Sequence, residues 1–176
     1  RLGVAPFSGL ASFRDSHTLS IAGQAPVSGR NILIATGSHP FVPAKLPRTP
    51  GRILTTDDLF DHPPPPGKRV ALIGSGVVGA EFAFILPMLG LSLLWFTQAE
   101  PLSRTRFSGH ALKALHREFA QFGVRARTAS RPSRAEVLDD GVVLTLPDGS
   151  QEKVDWVLLG SGRTPHTEGL NLAAAG

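Results

Sequence analysis

The chain has no cysteine among its 176 residues, which excludes disulfides and cysteine-based redox chemistry within this segment. It has no run of 18 apolar residues, so no membrane span is predicted. The opening Arg1-Leu2-Gly3-Val4 lacks both an initiating methionine and the charged-then-apolar order of a signal peptide. The chain is therefore expected to begin inside a longer gene product. Charge of one sign is also scarce, with a net +4. Arginines gather at Arg104/Arg106 and at Arg125/Arg127/Arg131/Arg134, but a nucleic-acid footprint needs a longer basic stripe with interleaved aromatics. Neither a nucleic acid nor a membrane is expected as a partner, and the second arginine cluster reads as surface charge. The lack of cysteine is compatible with a cytoplasmic setting, the expected location.

What is present points to a folded α/β chain. Hydrophobic residues make up 41%, enough for a core in one domain, or in one domain with part of another. Fifteen prolines and nineteen glycines supply many turns. The chain is organised around Arg69-Val70-Ala71-Leu72-Ile73 followed by Gly74-Ser75-Gly76-Val77-Val78-Gly79. Four apolar residues in a row predict a buried strand, and G-x-G-x-x-G turns it into a helix. That order is the dinucleotide fingerprint. Gly74 permits the tight turn, Gly76 lets the backbone approach a pyrophosphate, and Gly79 lets helix pack on strand. The free N–H groups of the helix start then face the phosphate charge. A βαβ unit that binds nothing, or binds another phosphate compound, is the competing reading.

The helix is apolar at Val77, Val78, Phe82, Ile85, Leu86 and Leu89, a mostly buried pattern, and Gly90 stops it. Pro87 removes one ladder bond and is expected to kink or shorten it. A second apolar strand runs from Leu93 to Thr97. Ser108 caps another helix through Gln121, with Leu112, Leu115, Phe119 and Phe122 on one face. His110 and His116 on that helix are six apart, the wrong spacing for one metal, so they read as solvated surface. Val124–Thr128 is a short strand. Asp140-Gly141 and Asp148-Gly149 are hairpin turns bounding a strand at Val142–Leu146.

Upstream, Phe13, Leu19 and Ile21 surround a turn at Asp15-Ser16-His17, a predicted hairpin. Asn31–Ala35 is predicted as a buried strand ending in Thr36-Gly37-Ser38. Residues 41–67 are connective: Thr55 or Thr56 can cap a short helix at Asp57–Phe60, and Pro63–Pro66 is a stiff polyproline spacer. Near the end, Val154–Leu159 is a buried strand running into Gly160-Ser161-Gly162-Arg163-Thr164-Pro165. It repeats the strand-to-glycine ending at 31–37, and both endings could approach a common ligand or be ordinary strand ends.

Three ordered stretches, A-T-G-S at 35–38, G-S-G-V-V-G-A-E-F-A at 74–83 and G-R-T-P-H-T at 162–167, resemble the flavoprotein pyridine nucleotide–disulfide oxidoreductases. That group includes dihydrolipoamide dehydrogenase, glutathione reductase, mercuric reductase and soluble transhydrogenase. The resemblance spans nearly all of the chain. It implies a central fragment: residues 1–40 end the first FAD-domain segment, 41–67 connect, 68–155 form the NAD(P)H-binding domain, and 156–176 return to the FAD domain. The implied class is a Rossmann-like parallel sheet with a small antiparallel meander, flanked by partial FAD-domain segments. The family's cysteine pair, first FAD glycine motif and dimerisation domain with its His-Glu pair lie outside the chain. The whole protein is expected to be an FAD-dependent homodimer, with this fragment positioning the nicotinamide but not turning over alone. A nucleotide-binding module without redox turnover is the alternative.

Residue by residue, the resemblance places Thr36 and Gly37 along the FAD and Thr56 near the flavin. Gly74, Ser75, Gly76, Val77, Val78 and Gly79 hold the NAD(P)H pyrophosphate. Glu81 sits near the nicotinamide carboxamide, or else is a helix-start acid stabilised by the dipole. Gly162 and Arg163 belong to the arm that closes over the nucleotides. Val77 stands where many members carry a tyrosine over the flavin. Thr97 and Gln98 stand where NAD-specific members usually carry a glutamate for the ribose hydroxyls, and the next acid is Glu100. Without that carboxylate a 2′-phosphate is not repelled, and Arg104, with Arg106 nearby, is a natural phosphate partner. Gly79 weighs the other way, being more typical of NAD users. The balance leans to NADPH, or to use of both coenzymes.

Overall fold

A computed structural model describes residues 3–61 and 68–176. The expected polyproline spacer at Pro63–Pro66 lies outside the described residues. In chain order the strands and helices are β1 (Ala11–Asp15), β2 (Thr18–Ile21), β3 (Val27–Ser28), β4 (Ser38–Pro40), β5 (Ile53–Thr55), α1 (Thr56–Asp61), β6 (Arg69–Ile73), α2 (Val77–Met88), β7 (Ser92–Phe96), α3 (Gly109–Gln121), β8 (Ala126–Arg127), β9 (Arg134–Leu138), β10 (Gly141–Thr145), β11 (Gln151–Val154), β12 (Trp156–Leu159) and β13 (Arg163–Pro165). They fall into two compact units, Arg1–His39 with Thr164–Gly176, and Pro40–Arg163.

The larger unit is built on a five-stranded sheet in the order β5-β12-β6-β7-β8, parallel throughout. Side chains alternate across it, as the period of two demands. Val70, Leu72, Trp95, Trp156 and Leu158 face one side, where Ala83 and Leu86 of α2 and Phe119 of α3 cover them. Ala71, Ile73, Phe96, Val157 and Leu159 face the other, against Val142, Leu144 and Val154 of the antiparallel meander β9–β11. A sheet covered on both faces needs near-continuous apolar strands. That is why the runs at 70–73 and 156–159 read so plainly. The α/β class and the small meander expected from the sequence are both present.

Both long helices end as their glycines require. Gly90 has φ +78, Gly90 N–H donates to Pro87 O and Leu91 N–H to Leu86 O, closing a Schellman motif. Gly123 does the same with Ala120 and Phe119. Ser108 Oγ accepts from Ala111 N at 3.2 Å and starts α3. Pro87 sits one residue before the end of α2, so only one ladder bond is forfeited. Two expectations for these helices need correction. Val77 and Ile85 of α2, Leu89 just after it and Phe122 after α3 are exposed, because each helix covers the sheet with one face only.

The compact unit is wider than the stretch 68–155 assigned from sequence. β5 and β12 are hydrogen-bonded members of the same sheet as β6, so residues on both sides of that stretch pack into one core. Asp58 accepts from Thr55 N and Thr55 Oγ1, each at 2.8 Å. Thr55 is thus the residue held at the head of α1.

In the smaller unit, β1 and β2 form the expected hairpin around Asp15-Ser16-His17, and β3 adds to it. Phe13 is its buried residue. Asn171 Nδ2 donates to Phe13 O at 2.9 Å, tying 164–176 back to the hairpin. The strand expected at Asn31–Ala35 is not formed. Leu33 is 89% and Ile34 44% exposed, since none of the described strands offers this segment a ladder to pair with.

Candidate functional site

The carboxyl ends of the parallel strands form one row. Leu159 is level with Thr55 and with Ile73, and Ile73 with Phe96. The residues that follow, Thr56, Gly160, Gly74 and Thr97, therefore stand along one sheet edge. β6 sits between β12 and β7, so the chain departs to opposite sides at β6. Crevices outside strand ends at such a switch point are where open α/β sheets bind ligands.

Three glycines close this point backbone against backbone. Gly74 has φ +147, and a Cβ there would meet Gly160 O at 2.1 Å. A Cβ on Gly79 would meet Gly74 O at 2.5 Å, and one on Gly160 would meet Gly79 Cα at 3.3 Å. Gly74 N–H donates to Phe96 O at 3.1 Å, and Trp95 Nε1 donates to Gly74 O at 2.7 Å. The turn is thus held from three directions.

Gly76 is different. A Cβ there would touch nothing within 4 Å, and its φ of −82° suits any residue. The backbone at this position is open, with room for a ligand to lie against it. Gly76 is also the N-cap of α2, with no side-chain cap and no acid in the first turn. The positive end of the helix is left for an outside anion.

A cleft of about 290 Å³ opens here, lined by Gly74 to Val78, by Gly160, Ser161 and Gly162, and by Gln98, Arg104 and Arg131. It contains no carboxylate. Ser161 Oγ is buried without a hydrogen-bond partner among the described residues. Leu102 N–H donates to Ser75 O at 2.7 Å, fastening the loop after β7 to the glycine turn.

The sequence-derived residues divide. Gly74, Ser75, Gly76, Val77, Val78, Gln98, Arg104 and Gly162 line the cleft. Gly79 lies beneath it as packing. Thr97 is turned inward and buried: its N–H donates to Arg127 O at 3.0 Å and its carbonyl accepts from Ser130 N. Of the pair at the end of β7, only Gln98 faces the cleft. Glu81 is exposed and borders a small apolar recess with Phe84, Leu102, Phe107 and Leu115. Thr56 is buried at the head of α1. Beside it, Arg163 Nη1 pairs with Asp57 Oδ1 at 3.1 Å. Thr36 and Gly37 belong to the smaller unit. Thr36 Oγ1 donates to His166 O, and His166 N–H donates to Gly37 O at 2.9 Å.

Sequence reasoning missed Arg131, grouped with surface charge. Two of its neighbours in the cluster make ion pairs. Arg127 pairs with Glu152 at 2.5 Å and lies 5.6 Å over the Phe96 ring, and Arg134 pairs with Glu136 at 3.7 Å. Arg131 instead lines the cleft. Nothing in a linear cluster tells these fates apart, because they depend on a tertiary turn between β8 and β9.

The family model described as pyridine nucleotide-disulphide oxidoreductase matches residues 7–176. The soluble pyridine nucleotide transhydrogenase of Photorhabdus laumondii is 34% identical over 190 aligned positions, covering 100% of this chain and 38% of the relative. That of Colwellia psychrerythraea is 32% identical, covering 98% and 38%. Among solved structures, the HOCl-induced flavoprotein disulfide reductase RclA from Escherichia coli superposes with a TM-score of 0.71 at 26% identity, covering 94% of this chain and 38% of that one. LpdA from Mycobacterium tuberculosis gives 0.75 at 26% identity, covering 96% and 39%. The chain thus spans about two fifths of the length of the proteins it resembles. It belongs to the pyridine nucleotide–disulphide oxidoreductase family.

Proposed function

We propose that this family member binds a nicotinamide dinucleotide across Gly74–Gly79, as the coenzyme-binding part of an FAD-dependent oxidoreductase. The observation that carries the reading is Gly76, a glycine that the chain's own packing does not require, at the uncapped start of α2. The pyrophosphate would lie against the Gly76 backbone and the first N–H groups of α2. When bound, the coenzyme supplies a hydride and the flavin accepts it. The chain's part is to hold and orient. Gly162 and Arg163 would flank the nucleotides, Glu81 would accept the carboxamide N–H, and Thr56 would stand near the flavin. In the whole protein the acceptor beyond flavin would be a disulfide, a metal ion or another acceptor, and the assembly a homodimer.

NADPH is the favoured coenzyme. Gln98, not a carboxylate, faces the cleft at the end of β7, and Arg104 lines it. Gly79 does not argue for NAD, because packing against Gly74 O already demands a glycine there. Titration of the folded chain, followed by reduced-nicotinamide fluorescence, tests both parts. Saturable binding of NADPH, tighter than NADH, is expected. Arg104→Ala should weaken NADPH by about 1–3 kcal/mol, the loss of a charge-assisted hydrogen bond, and NADH far less. No saturable binding of either would contradict the site, and equal losses would contradict the role of Arg104.

A further inference from the structure

Two loops meet at the cleft, and each brings one arginine. Arg104 follows β7 and Arg131 follows β8, with Gln98 on the same lining. The loops share a construction. Leu102 has φ +63 and Ala129 φ +53, so each arginine stands two residues after a non-glycine residue in the left-handed region. That conformation is strained for a residue with a Cβ and persists only where the surroundings enforce it. They do so here. Leu102 N–H is bonded to Ser75 O of the glycine turn at 2.7 Å, and Ser130 N–H to Thr97 O at 3.2 Å. Arg131 is half-buried, and among the described residues neither Arg104 nor Arg131 has an ion pair or hydrogen-bond partner. Fixed backbone and unneutralised guanidinium, twice over at one carboxylate-free cleft, is the arrangement of a site for a dianion. A neighbouring recess of about 620 Å³ shares Gln98 and Arg131 and adds Lys45, extending the positive lining.

On the nucleotide reading above, we infer that Arg131 is a specificity-determining residue that grips the 2′-phosphate of NADPH from the β8–β9 loop, together with Arg104 on the loop after β7. The glycine turn takes the pyrophosphate, whose charge both coenzymes share. The two arginines take the one group that distinguishes them. Gln98 on the same lining can donate to a phosphate or to a ribose hydroxyl, and so excludes neither coenzyme.

The test is titration of the chain and its Arg131→Ala and Arg131→Lys variants with NADPH, NADH and 2′,5′-ADP, with melting temperatures measured alongside. Arg131→Ala should raise the Kd for NADPH and for 2′,5′-ADP about tenfold or more, while NADH changes by less than about twofold. Arg131→Lys, keeping the charge without the fork, should fall between. The melting temperature should not move, since Arg131 holds nothing in the fold. Equal weakening of NADPH and NADH, or unchanged NADPH binding, would overturn the role of Arg131 and leave the glycine-turn site standing. A wild-type chain that binds none of the three would overturn both.

Discussion

Two segments read almost alike. Ile32-Leu33-Ile34-Ala35 and Val70-Ala71-Leu72-Ile73 are both short apolar runs, and both lead into glycine within two residues. One is a central strand with Leu72 fully buried. The other is unpaired, with Leu33 89% exposed. Apolar sequence supplies the incentive to bury, but a strand also needs a neighbour to satisfy its backbone groups. β6 has partners on both sides. The segment at 32–35 has none among the described residues. Their glycines differ in the same way. Gly74 is wedged against Gly160 O, whereas a Cβ on Gly37 would come no nearer than 3.9 Å to His166 Cδ2.

The sharpest way to break this contrast is at the glycines. Gly74→Ala combines a backbone clash with a strained φ and is expected to cost about 3–5 kcal/mol by denaturant unfolding. Gly37→Ala, strained at φ +78 but unobstructed, should cost about 1–2 kcal/mol. Comparable losses would show that the Gly160 contact does not matter. The apolar runs come next. Leu72→Ala should cost about 2–5 kcal/mol through the cavity it leaves, and Leu33→Ala should stay within about 0.5 kcal/mol. A large loss at Leu33 would mean that its segment is packed in solution.

A smaller effect separates the interior of the parallel sheet from its edge strand β5, which is anchored by charge. The Arg48 guanidinium, donating from Nε to Asp58 Oδ2 at 2.9 Å, holds the Asp58 carboxyl well below the usual carboxylate range. Its desolvation opposes this, and the Thr55 N–H and hydroxyl reinforce it. A depressed folded pKa means stability that is complete above about pH 4 and is lost as pH falls further. Asp58→Asn should lower stability at neutral pH by on the order of 1 kcal/mol, since Arg48 is half exposed and solvent screens the pair. It should also flatten the acid limb of the unfolding profile. An unchanged acid limb would mean the carboxyl is not held ionised by these contacts.

Legibility followed the same division. The glycine turn, the extents of α2 and of α3 with its Ser108 cap, both hairpin turns of the meander and the strand at 156–159 are plain, because local chemistry decides them. The strand at 31–35 was misread because pairing is not a local property. Along the cleft, the glycine turn and the place of Arg104 on the lining follow from a contiguous pattern. The inward turn of Thr97 does not, since it depends on Arg127 O from another strand. Nor does the place of Arg131, which depends on the left-handed bend at Ala129. A non-glycine residue in that region leaves no mark in sequence.

The most direct measurement is the binding heat of NADPH to Gly76→Val beside the wild-type chain, with melting temperatures of both. Gly76 has an ordinary φ and open space where a side chain would go. The variant should therefore melt within about 4 °C of wild type, the cost of a poorer N-cap, while its saturable NADPH heat disappears. A variant that binds NADPH as wild type does would contradict the placing of the coenzyme against this turn.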